Sequence, residues 1–271
     1  MILITGGSGQ LSSLIAARME RLGLDYVVGS HAAQGSEGRR RRIDFDDPAS
    51  LDFRGIDTLC MVSAGYGEDD VVIRRHDQVV SAAERCCVRQ VVYTSLIGGG
   101  DHLGFALAHR WTERRLRASN LSWTILRNGL YAELIAALAK PDNGVIRAPF
   151  GDGAVAAVAR EDLADAAVAV LSSPASHVGR VYELPGRTAW SMSQFARQIG
   201  AEYRPASLKE ARRGLSSPPL LPFQPAMLMS IYSAVAGGFL ADTAGDLEQL
   251  LTGVPRDGLA VACRAAGSAR P

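Results

Sequence analysis

Lysine is nearly missing from this 271-residue chain: Lys140 and Lys209 stand alone among 29 basic residues. None of the seven tyrosines has a lysine four places on, so no Tyr-x-x-x-Lys acid–base dyad exists and general-acid ketone reduction of the usual kind is disfavoured. Cysteine is sparse too. Cys60, Cys86, Cys87 and Cys263 show no C-x-x-C spacing, and the adjacent pair falls in a helical pattern, so the thiols are expected to be reduced and the protein cytoplasmic. The five histidines (31, 76, 102, 109 and 177) fit no zinc spacing, and no G-x-S-x-G elbow occurs, which argues against metal-dependent and serine hydrolases. With 29 basic against 28 acidic residues, the formal net charge is +1. That balance offers no electrostatic footprint for nucleic acid. Long apolar runs are absent as well: the best, 226–240, is broken by Ser230, Tyr232, Ser233 and Gly237-Gly238 and falls short of the roughly 20 residues a bilayer requires. The chain opens on a strand-like Met1-Ile2-Leu3-Ile4-Thr5 in place of a basic, then apolar leader. The expected partner is a small-molecule substrate, with no metal, nucleic acid or membrane; a homodimer is compatible with these features.

What is present is an ordinary globular composition, 47% hydrophobic and 21% charged. From residue 1 to about 186, short β-branched runs at 2–5, 26–29, 41–45, 58–63, 90–94, 123–127 and 181–184 alternate with helical patterns at 10–22, 69–88 and 106–119. Such alternation reads as successive parallel βαβ units. Several runs are apolar throughout, as strands covered on both faces should be. Beyond 186 the pattern becomes helical (191–199, 209–214, 225–239) with Pro- and Gly-rich turns. The expected organisation is a nucleotide-binding domain at 1–150, with 151–186 returning to it, and a smaller helical lobe at 187–271.

The most informative segment is Thr5-Gly6-Gly7-Ser8-Gly9-Gln10-Leu11-Ser12, set between a buried strand and an amphipathic helix. Glycines there let a backbone approach a pyrophosphate, and the free N–H groups of the helix start can bind it. A tight structural turn is the other reading. The expected fold is a Rossmann-like, doubly wound parallel α/β sheet with a small, mostly helical C-terminal substrate lobe, and the expected cofactor NADP(H) or NAD(H). Gly6-x-x-Gly9-x-x-Ser12 lacks the third glycine that usually packs helix against strand. Ser12 is therefore expected to hold the helix further out and to lower affinity.

Together with 5–12, the stretches Asp44-Phe45-Asp46-Asp47-Pro48-Ala49-Ser50-Leu51, Val92-Tyr93-Thr94-Ser95-Leu96, His109-x-x-Thr112-Glu113, Leu126-Arg127-Asn128-Gly129-x-Tyr131, Gly151-Asp152-Gly153 with Arg160-x-Asp162, and Val181-Tyr182-Glu183-Leu184 occur in this order. In that order they resemble the NmrA-like atypical short-chain dehydrogenases, and among them the type 2 NAD(P)H quinone oxidoreductases. The resemblance covers nearly all of the chain and is weakest after about residue 205. It implies an NAD(P)H-dependent oxidoreductase passing hydride to a quinone-like or conjugated carbonyl. Family members without turnover make a redox-sensing regulator an alternative, and a cyclase or isomerase on the same fold is a third. It further implies that Gly6, Ser8, Gly9, Gln10 and Leu11 line the pyrophosphate, that Asp44 and Phe45 hold the adenine, and that Ser63, Ala64, Thr94, Ser95 and Asn128 meet the nicotinamide side. Asn128, Tyr131 and His109 are the catalytic candidates. Glu113 shares a helix face with His109, as an active-site border or as its surface hydrogen-bond partner. His76 is structural or cleft-lining, and Tyr66 could flank the ring. Relatives usually carry an Arg after the second strand for the 2′-phosphate of NADP; here Gly29-Ser30-His31 stands there. The run Arg39-Arg40-Arg41-Arg42 could substitute, or it could be a solvated basic face.

Overall fold

A computed structural model describes residues 1–33, 36–63, 67–215 and 220–268. Its first half runs β1 (Ile2–Ile4), α1 (Gln10–Arg21), β2 (Tyr26–Ser30), β3 (Ser36–Glu37), β4 (Arg40–Arg42), β5 (Thr58–Met61), α2 (Asp69–Arg85), β6 (Gln90–Leu96), α3 (Ala106–Arg117) and β7 (Ser122–Asn128). Then follow α4 (Ala132–Leu138), β8 (Val145–Ile146), β9 (Ala154–Val155), α5 (Arg160–Ser172), β10 (Val181–Leu184), β11 (Trp190–Ser191), α6 (Met192–Gln198) and β12 (Glu202–Tyr203). The chain closes with α7 (Leu208–Gly214), α8 (Gln224–Ala236), α9 (Leu247–Leu250) and α10 (Gly258–Ser268).

One sheet organises the molecule, in the order β10-β7-β6-β5-β1-β2-β4-β3. Seven of its strands are parallel, and β3 pairs antiparallel with β4. Alternation within the strands feeds two cores. Ile4, Cys60, Val92, Leu126 and Leu184 face Leu11, Ile15 and Met19 of α1 and Leu163, Ala164 and Ala167 of α5. On the opposite face, Leu3, Leu59, Met61, Val91 and Tyr93 meet Val79, Val80 and Ala83 of α2 and Leu116 of α3. Each fully buried Leu or Ile contributes about 1.5–3 kcal/mol relative to leaving it exposed. These two layers cover both faces of the sheet.

The third core stands over the C-terminal ends of β6 and β7. Leu96 and Leu103 pack there with α4, α6, α8 and α10 through Ile135, Phe195, Ile231 and Ala262. Two short ladders, β11 with β9 and β12 with β8, tie this cluster together. Capping boxes start α6 (Ser191 with Gln194) and α7 (Ser207 with Glu210).

Two sequence expectations are corrected. The strand expected at 41–45 lies at Arg40–Arg42, because Ser50 Oγ accepts from the Asp44 amide at 2.8 Å and folds the chain into a loop. The helix expected to reach residue 88 ends at Arg85: Cys87 takes a left-handed φ of 56°, and the Val88 amide bonds back to the Ala83 carbonyl at 3.0 Å. Cys86 and Cys87 therefore form a helix stop. All four cysteines are free, and burial pushes the Cys60 thiol up to about 12. Among the described residues, no helix is long and apolar enough to cross a membrane and no cluster of three His, Cys, Asp or Glu could hold a metal.

Candidate active site

The strand order reverses between β1 and β5, and a doubly wound sheet opens its ligand crevice at such a point. Thr5 and Val62 lie on either side of it. The Thr5 hydroxyl accepts from the Val62 amide at 2.9 Å and donates to the Val62 carbonyl at 3.2 Å, so the two strand ends are locked together. From there the chain turns through Gly6, whose φ is 68°, a left-handed value that favours glycine. The Gly7 amide then bonds the Gly29 carbonyl at 2.9 Å. A Cβ on Gly7 would stand 2.3 Å from Val28 Cγ1, whereas one on Gly9 would meet only the Gly6 carbonyl, at 3.1 Å, with open space beyond. Gly7 is thus the packing glycine and Gly9 the one that keeps the mouth clear.

Gly9 caps α1 without any side-chain hydrogen bond, and the first turn holds no acidic residue. The first N–H groups of a helix have no intrahelical partner and carry the positive end of its dipole. Gln10 and Leu11 begin the helix here, and Ser8 is exposed on the turn. The cradle fits a pyrophosphate. Ser12 packs inside the turn. It is fully buried, and its hydroxyl donates to the Thr5 carbonyl at 2.8 Å. The room comes from Gly6, where a Cβ would lie 3.2 Å from Ser12 Oγ.

Asp44 and Phe45 follow β4 at the same edge. The Asp44 carboxylate accepts from the Asp46 amide at 3.0 Å, and the Phe45 ring meets His76 edge-on at 6.4 Å. The arginine run divides along the strand. Arg39 pairs with Glu20 and lies over the Tyr26 ring, and Arg41 donates to the Asp52 carbonyl at 2.9 Å. Arg40 is exposed. Only Arg42 ends beside the mouth, in register with Ser30, with its guanidinium 2.6 Å from Asp47 and 3.6 Å from Asp44.

On the β5–β7 side, Thr94 Oγ1 accepts from the Ser63 amide at 3.2 Å, and the Ser63 hydroxyl is buried without a partner. Ala64 and Tyr66 lie outside the described residues. Asn128 ends β7 nearly buried, and its Oδ1 has no hydrogen-bond partner. An orphaned acceptor of this kind fits an N–H donor brought by a ligand. Tyr131 caps α4 with Arg160 4.7 Å over its ring, and burial raises its hydroxyl's pKa.

His109 and Glu113 share one face of α3 but serve different networks, so they do not form a mutual hydrogen-bonded pair. His109 Nδ1 lies 2.8 Å from the Tyr93 hydroxyl. Glu113, 1% exposed, accepts from Ser95 Oγ at 2.6 Å, Arg127 at 2.9 and 2.6 Å, and Arg110 at 3.1 Å. Burial works to raise its pKa, yet these donors hold it below the usual carboxylate range. Arg127 continues to Glu183 at 2.7 Å, which takes the Gly98 amide at 2.8 Å. The Ser95 hydroxyl is thereby committed to holding α3 against β6. A cavity of about 240 Å³ lies beyond this network, lined among others by Gly98, Gly129, Leu130, Glu183 and Phe239. It shares Gly129 with the segment carrying Asn128 and Tyr131.

His76 is fully buried, its Nδ1 2.8 Å from Thr112 Oγ1, whose own hydrogen goes to the Ala108 carbonyl. Burial first, then His109 and Arg75, push its pKa down to about 3. Burial, then Arg110, push His109 down to about 4. An unfolded histidine takes its proton near 6.5. Between pH 6.5 and about 4 the unfolded state therefore binds more protons, so stability falls as pH drops through that window and is flat above it. We expect His76→Gln to reduce this slope by up to about 1.4 kcal/mol per pH unit, read as urea midpoints between pH 7.5 and 4.5. An unchanged slope would mean that His76 is charged in the folded protein.

Residues 30–174 match the family model described as NAD(P)H-binding. The chain belongs to this NAD(P)H-binding family. It is 35% identical over 230 residues to quinone oxidoreductase 2 of Escherichia coli strain K12, covering 78% of this chain and 79% of that protein. A crystal structure of an Escherichia coli NADPH-dependent quinone oxidoreductase complexed with NADPH superposes with a TM-score of 0.83 at 30% identity, over 97% of this chain and 99% of the other. The Citrobacter sp. triphenylmethane reductase complexed with NADP(H) gives 0.84 at 26% identity, with the same coverage. The protein is accordingly an NAD(P)H-dependent oxidoreductase of the NmrA-like type. Sequence reasoning passed over Gly7, Tyr93 and the Arg127–Glu183 pair. Each stands in one of the quoted motifs, which carried no signal of its role.

Proposed function

We propose that this protein reduces quinone-like or extended conjugated carbonyl compounds at the expense of NAD(P)H, with the substrate held between the crevice and the smaller lobe at 187–271. The observation that carries this reading is the character of the three candidate catalytic groups. The Asn128 carboxamide, the Tyr131 phenol and the His109 imidazole are all neutral at pH 7, and none is a strong acid. In this reading the first turn of α1 holds the pyrophosphate, Asp44 and Phe45 the adenine end, and the Asn128 Oδ1 an amide of the bound ring. When bound, the reduced nicotinamide supplies the hydride. His109, Tyr131 and the Asn128 amide nitrogen offer hydrogen bonds to the substrate oxygen that gains charge.

Arg42 is the candidate reader of a 2′-phosphate, in competition with the carboxylates of Asp47 and Asp44. Losing one charge-assisted hydrogen bond costs about 1.5 kcal/mol or more, or about tenfold in affinity. We expect Arg42→Ala to bring NADPH binding down about tenfold towards that of NADH, with Arg41→Ala leaving the ratio alone. Fluorescence titrations with both nucleotides, followed by turnover on a p-quinone, test the whole reading. A strong NADPH preference surviving Arg42→Ala would assign the phosphate to another residue, and tight binding without quinone turnover would overturn the substrate class.

A further inference from the structure

We propose that Arg75 is a positioning residue for the nucleotide, pinning the turn at Asp46 so that Asp44 and Phe45 stand in place for the adenine end. The inference rests on the reading of Asp44 and Phe45 as the adenine contacts. Arg75 lies in the N-terminal half of α2. Its guanidinium donates twice to the Asp46 carboxylate, from Nε to Oδ1 at 2.8 Å and from Nη2 to Oδ2 at 2.5 Å. The next residue, His76, meets the Phe45 ring edge-on at 6.4 Å. Two consecutive residues of α2 therefore grip two consecutive residues of the loop that leaves β4. The guanidinium also borders the loop that leaves β5, because a Cβ on Gly67 would lie 3.4 Å from Arg75 Nη1.

Within the loop, the Asp46 amide donates to Asp44 Oδ1 at 3.0 Å, the Asp47 amide to the Asp44 carbonyl at 3.1 Å, and the Asp44 amide to Ser50 Oγ at 2.8 Å. These bonds set the turn's shape, while Arg75 and His76 set its place against α2. A planar guanidinium that meets a carboxylate with two bonds fixes direction as well as distance. The Arg75 side chain is 21% exposed and that of Asp46 51%, and ion pairs so open to water add little to folding stability. Their worth should therefore show in nucleotide binding. Arg75 holds the Asp46 carboxyl below its ordinary range, so the pair is ionised at neutral pH. Charge alone and position make opposite predictions for Asp46. A dinucleotide brings negative phosphates, so removing the Asp46 charge would tighten binding if only the field mattered. Releasing the turn would weaken binding whichever partner is removed.

Fluorescence titration of the full chain with NADH, across the parent, Arg75→Gln, Asp46→Asn and the double variant, tests the proposal. Each single change should weaken NADH about fivefold. The double variant should be no weaker than either single one, because both break the same pair. ADP-ribose, which carries the adenine half, should lose as much as NADH. Reduced nicotinamide mononucleotide, which lacks that half, should bind all four proteins alike. Tighter NADH binding in Asp46→Asn would overturn the inference in favour of charge alone. Losses that multiply in the double variant would show two separate roles, and equal weakening of the mononucleotide would show general damage; either overturns it. Asp46→Asn alters a half-exposed side chain, so that arm stands even if Arg75→Gln fails to fold. Phe45→Ala separates this inference from the reading beneath it. Parental NADH and ADP-ribose affinity in Phe45→Ala would overturn the adenine assignment itself. Loss in Phe45→Ala beside parental affinity in Arg75→Gln and Asp46→Asn would overturn the positioning role alone.

Discussion

Substituting Gly9→Val should weaken binding of NADPH and NADH by at least about 100-fold while the protein stays folded. Gly9 has φ −86° and ψ 152°, extended values that a β-branched residue adopts without strain. The new Cβ would press only on the Gly6 carbonyl, a contact that needs a few tenths of an ångström of adjustment. Its methyls would then stand in open space over the first turn of α1, where the pyrophosphate must approach. Excluding two charge-assisted hydrogen bonds, each worth about 1.5–3 kcal/mol, removes about 3 kcal/mol or more, which is the stated factor. Gly7→Ala is the contrasting variant. Its Cβ would collide with Val28 Cγ1 at 2.3 Å, so stability should suffer first. Calorimetric titration with circular dichroism separates the two outcomes. Unchanged nucleotide affinity in folded Gly9→Val would show that the ligand lies elsewhere.

The contrast between these neighbouring glycines marks how far the sequence could be read. The motif at 5–12, its strand and its helix are contiguous, so their order alone announced the crevice. Which glycine packs and which clears the mouth depends on Val28, 21 positions from Gly7, and is invisible locally. The arginine run behaves likewise. A strand at 41–45 was expected, and the observed strand begins at Arg40; because strand side chains alternate, the register decides which guanidinium faces what. The pairing of Ser30 with Arg42 selects one arginine from four. Polar networks were the least legible part. Glu113 finds Arg127 and Ser95 across 14 and 18 residues, and Tyr93 finds His109 across 16. Helical spacing placed His109 and Glu113 on one face, but the strands packed beneath them assigned each its partner. Around the third core, β8, β9, β11 and β12 are two-residue strands, too short to show any period. They exist because tertiary packing holds them.

The second large effect concerns which carbonyl accepts the hydride. We expect quinones and extended enones to be reduced and isolated ketones to be turned over orders of magnitude more slowly, if at all. Adding hydride to a plain ketone gives an alkoxide about as basic as hydroxide, whose conjugate acid, water, has a pKa near 15.7. A positioned acid must then deliver a proton as the charge develops. Adding hydride to a quinone leaves a phenolate-like oxygen, comparable to tyrosine at about 10. The difference of about 6 units is worth about 8 kcal/mol of charge that needs no neutralising. The chain has no Tyr-x-x-x-Lys dyad. Burial depresses His109 to about 4, so it cannot hold a second proton at neutral pH. Tyr131 is shifted the other way, away from acidity. Asn128, Tyr131 and His109 can therefore offer hydrogen bonds but no readily lost proton, and hydrogen bonds suffice only for the less basic oxygen. A matched panel of quinone, enone and ketone at saturating cofactor, run with Asn128→Ala, Tyr131→Phe and His109→Ala, tests this directly. Each substitution should lower quinone turnover about tenfold, the worth of roughly one hydrogen bond of about 1.4 kcal/mol. Efficient reduction of a plain ketone by the parent protein would reveal an acid that these residues do not supply.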